Sequence, residues 1–352
     1  LSLSPEAAQK QINVLNNFCN EWGIEVNQSK TKVVEFGDKK STTGTKPKFY
    51  LQDKLLETVD SYCYLGVLLH QSGKLGSAQD SLKSKAMRAF FGLKRTIMRS
   101  KITFKAATTL FDSLIKPIVL YGAPLFTPTS PVVKAIVKSI KTNKPLLQNF
   151  LPKVSRSPSE KVHLSFMKWA LGVHRKTSNI GTWGETGRYP LVYQAIRLTL
   201  NFYKRLQNLP NSSFAKAALK DQKLFKLPWF SYIETLTELD EIFKLDHVSA
   251  NRILNSKGRP TQLRIKPSCN KKISSLSGLR EDNPLPSKKF RVEEVMKNLT
   301  QKFVQSWEDG KSSSTKLSYY NVIKQKFARE PYLDCSKGFS QRYYTTQLRI
   351  SA

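Results

Sequence analysis

From Ser77 onward apolar residues recur three or four positions apart, and this spacing restricts most of the chain to helices. Ala78, Leu82, Ala86, Ala89, Leu93 and Ile97 share one predicted helical face. Leu110, Leu114, Ile118 and Tyr121 share the next, within Phe104 to Tyr121, where Pro117 should bend or end the helix. Dense Pro, Ser and Thr from Pro124 to Pro131 read as a connection. Further helices are predicted over 132–150, 159–172, 190–208, 212–225 and 231–246. The pattern fails over 255–289, which holds Pro260, Pro267, Pro284 and Pro286 and reads as a linker. It resumes over 290–308, 315–329 and 337–351.

The first ~75 residues read differently. Ser4 can cap a helix whose first turn takes Pro5, whose apolar face is Ala8, Ile12, Leu15, Cys19 and Trp22, and which Gly23 can end. Short strands are predicted at Ile24–Val26 and Lys32–Phe36, then a surface turn over Asp38–Lys48. Phe49–Leu51 and Leu55–Val59 flank Gln52-Asp53-Lys54 as a hairpin would. Tyr62–Leu69 reads as one more strand, with Gly66 marking a bulge or a close backbone approach. The fold class is therefore α+β and predominantly α-helical: a small antiparallel sheet with one helix at the N-terminus, then helices.

Charge narrows the partner. Lys and Arg number 58 against 26 Asp and Glu, for a net charge of +32. Such an excess suits a polyanion, because each cation set against a phosphate releases counterions. The competing reading is a solvated basic surface. Eight of the cations (Lys83, Lys85, Arg88, Lys94, Arg95, Arg99, Lys101, Lys105) fall between positions 83 and 105 with no acid among them. Ten more fall between Lys134 and Lys176 against Glu160 alone, among them Lys168, Arg175 and Lys176. The interleaved rings Phe150, Phe166 and Trp169 can stack on bases or fill a core, and core is the favoured reading. Trp183-Gly184-Glu185-Thr186-Gly187-Arg188-Tyr189-Pro190 is either a binding loop or a helix-linking turn.

No constellation for metal or nucleophilic catalysis emerges. The adjacent acids Asp240-Glu241, Glu281-Asp282, Glu293-Glu294 and Glu308-Asp309 follow no apolar strand and read as surface. Cys19, Cys63, Cys269 and Cys335 stand far apart, as structural thiols of an intracellular protein would. No apolar run of ~18 residues reads as a membrane span.

Against this background, Gly23-Ile24-x-Val26-Asn27-x-x-Lys30-Thr31-Lys32 resembles the motif that follows the catalytic aspartates in reverse transcriptases of non-LTR retrotransposons. Tyr62-Cys63-Tyr64-Leu65-Gly66 resembles the primer grip of that family, and Leu114-Ile115-Lys116-Pro117-Ile118-Val119-Leu120-Tyr121-Gly122 its thumb. Phe166-x-Lys168-Trp169-x-Leu171-Gly172-Val173-His174 and Gly184-Glu185-x-Gly187-Arg188-Tyr189-Pro190 are similar to segments downstream of the thumb.

The resemblance implies a partial palm over 1–76, a thumb over 77–125, a post-thumb helical region over 126–254, the linker, and a C-terminal helical segment over 290–352. It implies that Lys30 faces an incoming triphosphate, or is otherwise an exposed turn lysine, and that Tyr64, Leu65 and Gly66 seat a primer end. The parent activity would be RNA-directed DNA synthesis with Mg²⁺ and deoxynucleotides, acting in the nucleus on an RNA template. The metal-binding aspartates of the family are not in this sequence, so the expected fragment holds no cofactor and extends no primer. Its expected partners are RNA and an RNA–DNA or DNA duplex, not a membrane. The alternative is a domesticated, non-catalytic nucleic-acid-binding protein of the same descent.

Overall fold

The computed structural model describes residues 2–37, 47–97, 102–141, 150–238, 290–335 and 339–350. Helix α1 (Pro5–Glu21) begins where the Ser4 hydroxyl accepts a hydrogen bond from the Ala7 amide at 3.2 Å. Gly23, at φ 63°, turns the chain out of it. Ala8 and Ile12 then pack with Val26 and Val33 on a small core of Phe49, Leu51 and Leu56. Gln9 stands in for a strand neighbour: its amide donates to the Tyr50 carbonyl at 2.8 Å and its carbonyl accepts from the Tyr50 amide at 2.9 Å.

The strands are short: β1 (Lys32–Val33), β2 (Tyr50–Leu51), β3 (Lys54–Leu55), β4 (Glu57–Thr58), β5 (Ser61–Tyr64) and β6 (Val67–His70). They pair two by two instead of joining into one sheet. β2–β3 and β5–β6 are antiparallel; β1–β4 is parallel, with Lys32 opposite Glu57. The parallel β1–β4 pair departs from the expected antiparallel sheet, and two further details differ from expectation. Ile24–Val26 forms no strand, and Tyr62–Leu69 is a hairpin folded at Leu65-Gly66 rather than one strand. The class is α+β and predominantly helical, as the sequence implies.

Helix α2 (Gly76–Thr96) buries Ala78, Leu82, Ala86 and Phe90 at four-residue intervals. After Thr103, whose hydroxyl accepts from the Ala106 amide at 3.1 Å, α3 (Phe104–Leu110) runs through a widened π turn at Phe111–Ile115 into α4 (Lys116–Val119). The widening precedes Pro117, which has no N–H to give the preceding turn and whose ring needs room. Then follow α5 (Ala123–Phe126), α6 (Pro131–Lys141), α7 (Phe150–Arg156), α8 (Pro158–Leu171), α9 (Asn179–Thr186), α10 (Leu191–Gln207) and α11 (Phe214–Leu224). Residues 228–238 form α12. The chain closes with α13 (Val292–Ser312), α14 (Ser318–Ile323), α15 (Tyr332–Cys335) and α16 (Phe339–Ile350). Positions 38–46 of the predicted surface turn, and the whole predicted linker, lie outside the described residues.

Two apolar cores result. One gathers Leu82, Phe90, Phe104, Phe111, Phe166 and Trp169; the other gathers Trp183, Ile196, Phe303, Trp307 and Tyr320. Helices α8 and α10 serve both: Phe166 and Ala195 face the first, Leu164 and Ile196 the second. Each large side chain buried this way contributes about 1.5–3 kcal/mol. The predicted helix 315–329 stops at Ile323, because the backbone beyond it is recruited elsewhere. Glu330 donates its amide to the Glu185 carbonyl at 3.0 Å, and Arg329 bridges to Thr186.

Candidate nucleic-acid interface

The β5–β6 hairpin turns at Leu65 (φ 47°) and Gly66 (φ 84°). Two successive positive φ values are what a two-residue hairpin turn requires, and glycine adopts them without strain. This turn is tied down by the helices. The Tyr121 hydroxyl donates to the Leu65 carbonyl at 2.7 Å, and the Tyr121 ring lies under Gly66. The Lys85 ammonium donates to the Gly66 carbonyl at 3.3 Å. With its backbone held from one side, the tip presents exposed Tyr64 and Leu65 on the other.

Lys30 is exposed in the turn after α1. The Asn27 side chain accepts its amide at 3.1 Å, and the Tyr62 hydroxyl of β5 donates to its carbonyl at 3.4 Å. Its ammonium has no ion partner among the described residues. Lys32 does: it pairs with Glu57 across the β1–β4 ladder at 2.5 Å.

The first cationic run divides between two sides of α2. At 3.6 residues per turn, Lys85 flanks the buried stripe on one side and Lys83 and Lys94 flank it on the other, while Arg88 and Arg95 lie on the face turned away from it. Arg88, Lys94 and Arg95 are exposed, as is Lys105 on α3. Arg99 and Lys101 lie outside the described residues.

The second run converges with Lys83. Lys83 of α2, Lys161 and Lys168 of α8, and Arg175 line one cavity of about 440 Å³. Lys161, Leu164, Ser165 and Lys168 are spaced i, i+3, i+4, i+7, so one face of α8 forms its wall. Lys168 is only 8% exposed. Its ammonium donates to the Arg175 carbonyl at 3.0 Å and to Asn179 Oδ1 at 2.7 Å, and burial pulls its pKa down to about 8. Lys176 stays exposed outside the cavity. Sequence reasoning singled out Lys83, Lys168 and Arg175 but passed over Lys161 and Tyr121. The seven-residue step from Lys161 to Lys168 was the available signal for the first; nothing in the sequence marked the hydroxyl of Tyr121.

Phe150, Phe166 and Trp169 are buried, as favoured. The Trp183–Pro190 stretch is a structural joint, half of it the end of α9. Trp183 donates from Nε1 to Glu160 at 2.7 Å, and the Glu160 carboxylate also accepts from His163 Nδ1 at 2.9 Å and from the Leu191 amide at 2.7 Å. Arg188 grips Asp112 in the π turn with both terminal nitrogens, one at 3.1 Å. Burial alone would raise the Asp112 pKa, yet hydrogen bonds from Arg188 and Lys116 hold it below the usual range. Among the described residues no group of three or more His, Cys, Asp or Glu side chains stands where it could hold a metal ion. No described helix is long and apolar enough to cross a membrane.

No protein-family model matches the chain, and no solved structure matches it significantly. Over 133 residues it is 32% identical to a Caenorhabditis elegans protein named "Putative uncharacterized transposon-derived protein". That match covers 35% of this chain and 43% of the relative, so the chain aligns with less than half of the other protein's length. The similarity supports a transposon-related origin.

Proposed function

We propose that the chain is the palm remnant and thumb of a transposon-encoded, non-LTR type reverse transcriptase, and that it grips an RNA–DNA or RNA duplex. The observation that carries this reading is the anchoring of the Tyr64–Leu65–Gly66 turn by Tyr121 and Lys85. A hairpin that seats a primer end must hold its backbone still while a nucleic acid presses on it. Tyr121 and Lys85 supply that support from the first helices, and Arg88 and Arg95 lie on the exposed face of α2, with no ion pair among the described residues. Lys30 shares the amino-terminal unit and faces solvent, where it can meet a triphosphate brought by the rest of a polymerase. Mg²⁺ and deoxynucleotides belong to that parent activity.

The test is a duplex-binding titration across salt. Binding is expected to weaken with a log–log slope of about −0.9 for each duplex phosphate engaged. In an Arg88→Ala/Arg95→Ala variant the slope should flatten by about 2 while discrimination between sequences stays the same. A salt-independent affinity, or an unaltered slope in the variant, would overturn the reading.

A further inference from the structure

Lys168 makes an expensive arrangement. The residue is nine-tenths buried, and no carboxylate among the described residues pairs with its ammonium. Its neighbours around the cavity are three more cations: Lys83, Lys161 and Arg175. Met87 and Leu164 supply apolar wall, and the hydroxyls of Ser155 and Ser165 are spent on backbone carbonyls of their own helices. No acid lines the cavity; Asp80 meets Lys83 at 3.6 Å from outside it. A lysine that served only to tie Arg175 and Asn179 together would not need this company.

We propose that the cavity between α2 and α8 binds a phosphate group, with Lys168 at its base and Lys83, Lys161 and Arg175 around it. An ammonium has three hydrogens to give, and Lys168 commits two to Arg175 and Asn179, so the third is left for an acceptor. Those two bonds also fix the nitrogen in place, so the site is assembled before a ligand arrives. The Arg175 guanidinium can take two oxygens of one phosphate at once. A doubly charged tetrahedral anion would satisfy the unused donor and neutralise the field that burial leaves around Lys168. Lys161 and Arg175 are exposed, so the ligand can enter from solvent. At about 440 Å³ the cavity takes a phosphate together with an attached sugar as readily as a phosphate alone. The site goes beyond the duplex grip and does not depend on it.

Calorimetric titration of the full chain decides the matter, with inorganic phosphate, a nucleoside monophosphate, and a short oligonucleotide with and without a 5′-phosphate as probes. Saturable binding of inorganic phosphate is expected. The Lys161→Ala/Arg175→Ala variant, which alters only exposed side chains, should keep its unfolding midpoint and bind at least about tenfold more weakly, as the loss of two charge-assisted contacts implies. Affinity should also fall as pH rises through about 8, where Lys168 loses its proton. Tighter binding of the 5′-phosphorylated oligonucleotide assigns the site to a strand end; preference for the mononucleotide or for inorganic phosphate assigns it to a free ligand. Either result supports a phosphate site. Absence of saturable phosphate binding, or equal affinity in the double variant, overturns it. A protein that binds phosphate this way yet ignores duplexes would keep this site and lose the proposed function alone.

Discussion

Glu185 and Lys168 are both buried charges in one helical body, yet their surroundings have opposite character. The Glu185 carboxylate is fully enclosed and meets Arg349 Nε at 3.0 Å from each oxygen, with the Tyr332 hydroxyl at 2.7 Å. Arg349 reaches on to Glu330 at 2.9 Å, and Glu330 also pairs with Lys324. Every charge there has a partner of opposite sign, and the network fastens α9 to α15 and α16. Burial still raises the Glu185 pKa, against the pull of Tyr332 and Arg349. Lys168 has only neutral acceptors and sits among cations. A compensated charge holds a fold together; an uncompensated one in a cavity keeps affinity in reserve for something that arrives later.

That contrast breaks most readily at Glu185. Glu185→Gln removes the charge and leaves Arg349 half-buried beside a neutral amide. The loss should be about 3 kcal/mol of unfolding free energy, measured by chemical denaturation, the low end for buried pairs deprived of one member, because Arg349 keeps Glu330. A loss below about 1 kcal/mol would place the network with ordinary surface pairs and cancel the comparison.

Lys168 should respond in the other direction and only with pH. Its folded pKa, about 8, lies below the ordinary lysine value, so the unfolded chain binds more protons between the two. Stability therefore rises with pH across that window, and below it the buried charge is a standing cost. Lys168→Met should abolish this part of the rise, on the order of 2 kcal/mol between neutral pH and about pH 10.4. Parallel stability–pH profiles of the two proteins would show that Lys168 is not desolvated. Saturating phosphate should reduce the same difference, because an anion holds the proton on.

The difference between these two sites was half legible in the sequence. The charge surplus and its clustering were plain, because counting needs no structure. The helical periodicity placed most helices of the body to within a few residues, since an apolar stripe must face a core. What periodicity could not show is which cations share a cavity. Lys83 and Lys168 stand 85 positions apart, and only the packing of α2 on α8 brings them together. Nor could it show that Glu185 is a buried joint rather than a loop acid: its partners Arg349 and Tyr332 lie more than 140 residues downstream. The amino-terminal strands were the least legible. Two-residue pairings carry little alternation to read, and their register depends on Gln9 and Tyr121, which lie outside the strands.

The hairpin tip sharpens the comparison by the smallest effect, because it bears no buried charge. Gly66 has φ 84°, and a Cβ there would sit 3.4 Å from the Tyr121 ring, in ordinary contact. Gly66→Ala is therefore a test of backbone strain with little steric confusion. It should cost about 1 kcal/mol of stability, the usual difference for a left-handed residue that gains a side chain. Tyr121→Phe removes the hydroxyl that Leu65 accepts and leaves the ring in place, at a cost of about 0.5–1.5 kcal/mol. If the tip seats a duplex end, both variants should weaken duplex binding by more than their stability loss explains, while phosphate affinity at the α2–α8 cavity stays fixed. Equal loss at both places would mean that tip and cavity form a single binding surface, and the distinction between a held backbone and a waiting cation would have to be abandoned.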